Sequence, residues 1–276
     1  MLRRILKDIL SEKESEQLYS AFDQVGDVIV TRIPESLESK KPEIGEALLG
    51  SVKMARAVFC QTSDVSGDHR TRKLELIAGK GTTQTEYKES GCRFAVDVEK
   101  AFFSPRLSTE RSRIARLVQD GEIMLNMFAG IGMFSILAAA NSRCTVYSVD
   151  LNPIAATLCK QSIRMNKLLG DVISIEGDIT TVIREQNLTN ISDHTLMLLP
   201  EKSDEFVSDA ISATKSGGII HYYAHVHAET KSGIADAIRE RWQKISFVKS
   251  EILTSKLVRA VGPRYYQAVA DVRITK

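Results

Sequence analysis

The 276-residue sequence contains no run of 18 apolar residues, so no stretch reads as a membrane-spanning helix. It carries no charge excess either. Lys and Arg number 37 against 35 Asp and Glu, which excludes a uniformly basic nucleic-acid coat and makes any basic surface local. The cysteines at 60, 92, 144 and 159 form no Cys-x-x-Cys pair and no zinc spacing. That argues against a disulfide framework and for reduced thiols in a cytoplasmic protein. His221, His225 and His227 lack an acid that would complete a ligand set, so no metal site is expected. Internal repeats and low-complexity tracts are absent. The opening Met-Leu-Arg-Arg-Ile-Leu-Lys is amphipathic and runs into a charged segment, unlike a secretory leader.

What is present is concentrated between Met124 and Pro153. An apolar run, Ile123 to Phe128, breaks at Ala129-Gly130-Ile131-Gly132, and a helical segment follows to about Asn141. A β-branched run from Thr145 to Val149 ends on Asp150. This is strand, glycine turn, helix, then a strand with an acid at its tip. Such an arrangement binds an adenosine-containing ligand: glycines admit it to the backbone, and the acid accepts from ribose hydroxyls. The third glycine or alanine of the dinucleotide fingerprint is missing, because Ser135 stands there. Phe-Ala-Gly-Ile-Gly-Met-Phe followed by Asp-Leu-Asn-Pro instead resembles the S-adenosylmethionine site of class I methyltransferases.

Before this stretch the pattern is α+β. A helix is expected over residues 1 to 22 and another over Glu43–Leu49, with strands at 28–33, 55–61, 72–78, 83–88 and 93–98. From about Arg106 strands and helices alternate in five units. The class is therefore α/β, a doubly wound sheet with a smaller N-terminal α+β domain, divided as 1–104 and 105–276. The final runs, near Ile252–Val258 and Tyr266–Ile274, turn at Gly262-Pro263-Arg264 and predict a hairpin that adds one antiparallel edge strand. The site then belongs at the carboxyl ends of the strands, at Asn126–Gly132, Asp150, Gly177-Asp178 and Leu198-Leu199-Pro200.

Arg106 and Glu110 lie four apart in a helical segment and read as an ion pair, either exposed or holding a functional carboxylate. Tyr222 and Tyr223 either stack on a base or line the sheet's end. Arg239, Arg241, Lys244, Lys249, Lys256, Arg259 and Arg264 form either a phosphate track or a solvated face.

Several longer segments share one resemblance. They are Gly-Asp-His-Arg-Thr-Arg-Lys-Leu-Glu-Leu-Ile-Ala-Gly, Tyr-Lys-Glu-Ser-Gly-Cys-Arg-Phe, Phe-Phe-Ser-Pro-Arg-Leu-Ser-Thr-Glu-Arg, Asn-Met-Phe-Ala-Gly-Ile-Gly, Gly-Gly-Ile-Ile-His-Tyr-Tyr and Val-Arg-Ala-Val-Gly-Pro-Arg-Tyr-Tyr. Together, over residues 25 to 276, they resemble the archaeal and eukaryotic tRNA (guanine-37-N1)-methyltransferase family, in the shortened form whose small N-terminal RNA-docking domain is missing or reduced to the first helix. The resemblance implies methyl transfer from S-adenosylmethionine to N1 of guanosine 37, beside the anticodon, by a cytoplasmic monomer that binds the tRNA anticodon loop. By position in these motifs, Glu110 is the implied general base, Arg70 stabilises charge on O6, and Arg106 supports the site. Cofactor contacts are implied at Phe128, Gly130, Gly132, Asp150, Asp178, Leu198 and Pro200.

Three departures from the family pattern stand out. Asn126 replaces an Asp, Phe102 replaces a Tyr, and Leu198 replaces the Asn of an Asn-Leu-Pro or Asn-Pro-Pro motif. Loss of a transition-state donor costs about 10²–10³ in rate. Two alternatives therefore stay open: a wyosine-pathway aminocarboxypropyl transferase, and a tRNA-binding paralogue with little catalysis. Ser104-Pro105-Arg106 and Asp150 resemble the methyltransferase side of that choice.

Overall fold

The change of pattern near Arg106 coincides with a change of body. In this computed structural model, which describes residues 2–19 and 22–276 without the side chain of Arg3, the chain divides into two compact units, Met1–Pro105 and Arg106–Lys276.

The first unit contains α1 (Leu2–Ile5), α2 (Glu12–Gln17), β1 (Asp23–Val25), β2 (Val28–Thr31), α3 (Lys41–Ser51), β3 (Ala57–Gln61), β4 (Leu74–Gly79), β5 (Gln84–Glu89) and β6 (Cys92–Asp97). Strands β1 to β4 form one sheet in that order, with β2 and β3 parallel, and β5 pairs with β6. Leu2, Leu6, Leu10 and Leu18 pack with Ile29, Ile44, Leu48, Val58 and Ala78 in one core. The single helix expected over residues 1 to 22 is two helices; Met1, Ser20 and Ala21 lie outside the described residues. Ser11 explains the break. Its hydroxyl accepts from the Glu14 amide while the Glu14 carboxylate accepts from the Ser11 amide, a capping box that starts a new helix.

The second unit contains α4 (Ser108–Leu117), β7 (Ile123–Asn126), α5 (Met133–Asn141), β8 (Thr145–Asp150), α6 (Pro153–Arg164), β9 (Asp171–Glu176), α7 (Ile179–Glu185), β10 (Ser192–Met197), α8 (Val207–Ala213), β11 (Thr214–His227), α9 (Ile234–Ile245), β12 (Lys249–Gly262) and β13 (Tyr265–Thr275). Its seven strands run in the order β12-β13-β11-β10-β7-β8-β9. The five from β11 to β9 are parallel, and β13 is antiparallel to both of its neighbours. This is the α/β, doubly wound class I sheet. Among the described residues no helix is long and apolar enough to cross a membrane.

One expectation is corrected here. The antiparallel strand is not at the edge: β13 is inserted between β11 and β12, and β12 forms the edge. The reason is hydrophobic. Residues 267 to 272 of β13 are all buried, whereas every residue of β12 keeps some exposure. A nearly continuous apolar run belongs inside a sheet covered on both faces.

Alternation along β11 separates two cores. Ile220, Tyr222, Ala224 and Val226 join Trp242, Ile238 and Val207 on one face. On the other face Ile114 of α4 and Phe134 of α5 pack on Met124, Val146 and Leu196. Gly170 lets the chain pass from α6 into β9, for a Cβ there would strike the backbone of Cys144. Gly170→Ala should therefore cost about 1–3 kcal/mol. Urea unfolding should show a lower midpoint at unchanged slope.

Candidate active site

The turn after β7 is shaped by two left-handed residues, Gly130 (φ 55°) and Gly132 (φ 80°). Gly132 caps α5, and a Cβ on it would run into the Cys159 sulfur, so the turn tolerates no side chain there. Asp150, at the tip of β8, folds back onto this turn. Its Oδ2 accepts from the Gly130 amide at 2.6 Å and its Oδ1 from the Asn152 amide at 2.9 Å. Gly130 and Asp150, linked in the sequence only by spacing, are thus brought into contact. The Gly177 amide donates to the Asp150 carbonyl at 3.0 Å, which brings the start of α7 alongside. Asp178 is exposed and caps α7, accepting from the Thr181 amide at 3.2 Å.

Phe128 is half-buried and meets Phe206 edge-to-face at 5.0 Å. Leu198 is half-buried against the α4–α5 core. The Pro200 carbonyl accepts from the His225 amide, tying the segment after β10 to β11. Asn126 is fully buried at the end of β7. Its Nδ2 donates to Ser135 Oγ at 3.1 Å, and Ser135 donates to Ser148. Its Oδ1 has no partner among the described residues. A buried acceptor left open beside the glycine turn suits an ammonium-bearing ligand. Together with a turn that excludes side chains and an acid at the next strand's tip, it fits S-adenosylmethionine.

Glu110 lies on α4 with only 5% exposure. Oε2 receives Arg113 Nε at 2.9 Å and the Tyr223 hydroxyl at 3.0 Å, while Lys256 Nζ lies 3.0 Å from Oε1. The structure therefore gives Glu110 partners other than the one expected. Arg106 is exposed in the tight turn Pro105–Leu107, ahead of α4, where three residues per turn spoil the four-residue spacing. Arg113 is the helix neighbour instead, three residues on. Nor is Glu110 part of an exposed pair: a carboxylate this buried needs the donors it has.

Arg113 continues the network. Its Nη1 donates to Asp271 Oδ2 at 2.6 Å and its Nη2 to the Tyr223 hydroxyl at 3.3 Å. Burial opposes charge on Asp271, yet His221 and Arg113 outweigh it and hold the carboxyl well below the usual carboxylate range. Burial, then the Glu110 charge, pushes the Tyr223 phenol far up, so it stays a donor. Tyr222 and Tyr223 are both fully buried and present no face to a nucleobase. Tyr222 donates to Asp204, which Arg241 also holds. Arg113 and Asp271 are missed in the sequence, whereas Tyr223 and Lys256 are singled out there for other roles than holding Glu110. A signal existed for Asp271: a lone acid in the apolar run 268–272 must be buried and answered.

In the first unit, Arg70 has a left-handed backbone (φ 51°), and its guanidinium carbon sits 3.9 Å above the centre of the Phe102 ring. The ring is thus a platform for this cation, a role that needs no hydroxyl. Of the C-terminal cations, Arg239 pairs with Asp236, Arg241 with Asp204, Lys256 with Glu110 and Arg264 with Glu229.

The sequence matches the TRM5/TYW2 methyltransferase domain over residues 85–247 and the TYW2 N-terminal domain over residues 2–82. It is 37% identical to the tRNA (guanine(37)-N(1))-methyltransferase Trm5b of Pyrococcus abyssi, over 94% of this chain and 76% of that protein. It is 33% identical to the tRNA 4-demethylwyosine(37)-methyltransferase Taw21 of Saccharolobus solfataricus, over 97% of this chain and 99% of the relative. Among solved structures, Methanocaldococcus jannaschii Trm5 in complex with adenosine superposes with a TM-score of 0.80 at 30% identity, covering all of this chain and 78% of that one.

The depressed Asp271 carboxyl gives a sign to the acid limb of stability. Its contribution is complete above the unfolded carboxylate value of about 4 and is lost as pH falls toward the lower folded value. Between about pH 5 and pH 3 the wild type should therefore lose stability more steeply than Asp271→Asn. Urea midpoints measured across that range for both proteins check this, and parallel curves would contradict it.

Proposed function

The chain belongs to the TRM5/TYW2 methyltransferase family, and from that premise we propose that it transfers a methyl group from S-adenosylmethionine to N1 of guanosine 37 in tRNA. The observation that carries the reading is Glu110, a buried carboxylate with one oxygen anchored by two donors and the other turned toward a half-exposed lysine.

Guanine N1–H is a weak acid, so the reaction needs a base for the proton and a cation for the charge that spreads to O6. Glu110 takes the proton on Oε1, since Oε2 is already committed to Arg113 and Tyr223. Arg70 supplies the cation for O6 and Arg106 supports the site, as the family resemblance implies. When bound, S-adenosylmethionine supplies a methyl carbon made electrophilic by its sulfonium. Phe128, Gly130, Gly132, Asp150, Asp178, Leu198 and Pro200 hold it, with the Asp150 carboxylate for the ribose and Asn126 Oδ1 for the ammonium. The base must leave the anticodon-loop stack at a cost of a few kcal/mol. The N-terminal α+β region, residues 1–104, helps to hold that loop.

A second reading has its own support. The match to Taw21 runs nearly end to end in both chains, and Leu198 offers an apolar side chain where the family motif has an amide. An apolar wall suits a tricyclic base such as 4-demethylwyosine as well as it suits guanine. Mass analysis of tRNA bearing either base separates the readings, and a gain larger than one methyl would instead mean aminocarboxypropyl transfer.

Two outcomes are expected. Asp150→Ala should weaken S-adenosylmethionine binding by about 1.5–3 kcal/mol, the worth of a charge-assisted hydrogen bond; unchanged affinity by calorimetry would refute the assignment. Glu110→Gln retains shape but not proton acceptance. It should slow the chemical step by about 10²–10⁴ with binding intact. Single-turnover rates on one purified tRNA decide this, and near-normal chemistry would remove Glu110 as the base.

A further inference from the structure

Below α4 the sheet carries a row of polar side chains across four strands: His194 on β10, His221 on β11, Asp271 on β13 and Thr254 on β12. His221 and Asp271 are register partners, as are Asp271 and Thr254. His194, His221 and Asp271 are each no more than 5% exposed.

The row is joined by short contacts. His194 Nε2 lies 3.1 Å from Glu122 Oε2, His194 Nδ1 lies 3.0 Å from His221 Nε2, and His221 Nδ1 lies 2.6 Å from Asp271 Oδ1. The imidazole planes lie within 11° of each other and the rings meet edge to edge, as a hydrogen bond between them requires. Every ring nitrogen therefore has a polar partner, and the hydrogens can be counted. Carboxylates only accept, and each neutral imidazole brings one hydrogen. If both go to the carboxylates, two bare nitrogens face each other at 3.0 Å in a buried site. If one moves to the centre, a ring nitrogen lone pair faces a carboxylate oxygen. Only a third hydrogen fills all three contacts, and it makes the pair a monocation.

The surroundings say which ring is charged. Burial, then the neighbouring His221, pushes His194 below the usual histidine range, against the pull of Glu122 and Asp193. His221 touches Asp271, which is held as an anion. The other charged groups around the row are Arg113, Glu110 and Lys256, with the Tyr223 phenol between them.

We propose that the His194–His221 pair holds three ring protons, with the cation on His221, and that His221 and Asp271 are positioning residues for Glu110. The cation keeps Asp271 ionised; Asp271 anchors Arg113 by Nη1; Arg113 anchors Glu110 Oε2 by Nε. One line of contacts thus runs from Glu122 to the base. The positioning half rests on Glu110 being that base, whereas the proton count does not.

Two measurements on the full chain test the halves separately. In ¹⁵N-labelled histidine spectra near neutral pH, His221 should carry hydrogens on both nitrogens and His194 on Nε2 alone. Two neutral rings would overturn the proton count. In single-turnover assays, His221→Gln keeps hydrogen bonding but carries no charge. It should slow methyl transfer about tenfold, consistent with a small displacement of the base, while tRNA and cofactor affinity stay unchanged. Placed on a Glu110→Gln background, the same change should cost nothing further, because its effect acts through that residue. Full multiplication of the two losses would overturn the positioning role. If Glu110→Gln alone proves harmless, the functional reading fails, and the spectra still decide the proton count.

Discussion

A carboxylate in an apolar interior must be answered by donors, because the desolvation it suffers is several kcal/mol. The face of the sheet beneath α4 is organised by two of them, Glu110 and Asp271. Arg113 lies between and serves both, donating by Nε to one and by Nη1 to the other. That bridging explains strand placement. Asp271 reaches His221 because β13 is inserted beside β11, and it reaches Thr254 because β12 pairs on its other side. A hairpin docked in the opposite order would leave Asp271 on an edge strand, away from His221. Electrostatics and hydrophobic burial therefore select the same topology.

The opposite face has a smaller version of the same problem. Tyr222 alternates with Tyr223 along β11, so its hydroxyl points into the other core and finds Asp204, which Arg241 holds with its guanidinium. Arg241 also donates to the His225 carbonyl, and His225 donates to the Pro200 carbonyl. The segment that follows β10, where the cofactor site is expected, is thus tied to α9 through β11 as well as by its own Ser203, which donates to the Leu199 carbonyl. A C-terminal helix read as surface charge turns out to set a loop.

Much of the fold was legible because its signals are local. The glycine turn, the β-branched runs and the acid after β8 are properties of neighbouring residues, and the structure gives Gly130 and Asp150 a direct bond. Elements that depended on distant partners were harder to read. The Arg106–Glu110 spacing implied a pair only if the helix began early enough, and the tight turn Pro105–Leu107 removes that condition. Tyr222 and Tyr223 looked alike as adjacent aromatics, though strand alternation sends them to separate cores. Lys256 looked like one of several surface cations until β12 placed it against Glu110. In the first unit a local signal goes unused: the capping box of Ser11 and Glu14 breaks the single helix expected over residues 1 to 22.

The partners of Glu110 also bear on why its motif neighbours can vary. Glu110, the proposed base, is fixed by its own helix, by β11 and by β12, so its orientation is set before any substrate arrives, and preorganised groups need no reorganisation in a reaction. Leu198 belongs to the apolar packing around α4 and α5, so a leucine there supports the helix that carries Glu110. Asn126 plays a comparable part on the cofactor side. Its amide is held by Ser135 and Ser148 behind the turn, with one acceptor left over. An ionised Asp in that buried position would require a cation to answer it, whereas the amide leaves only one uncharged acceptor to be answered. Buried charge on the face beneath α4 is concentrated on Glu110 and the groups that hold it.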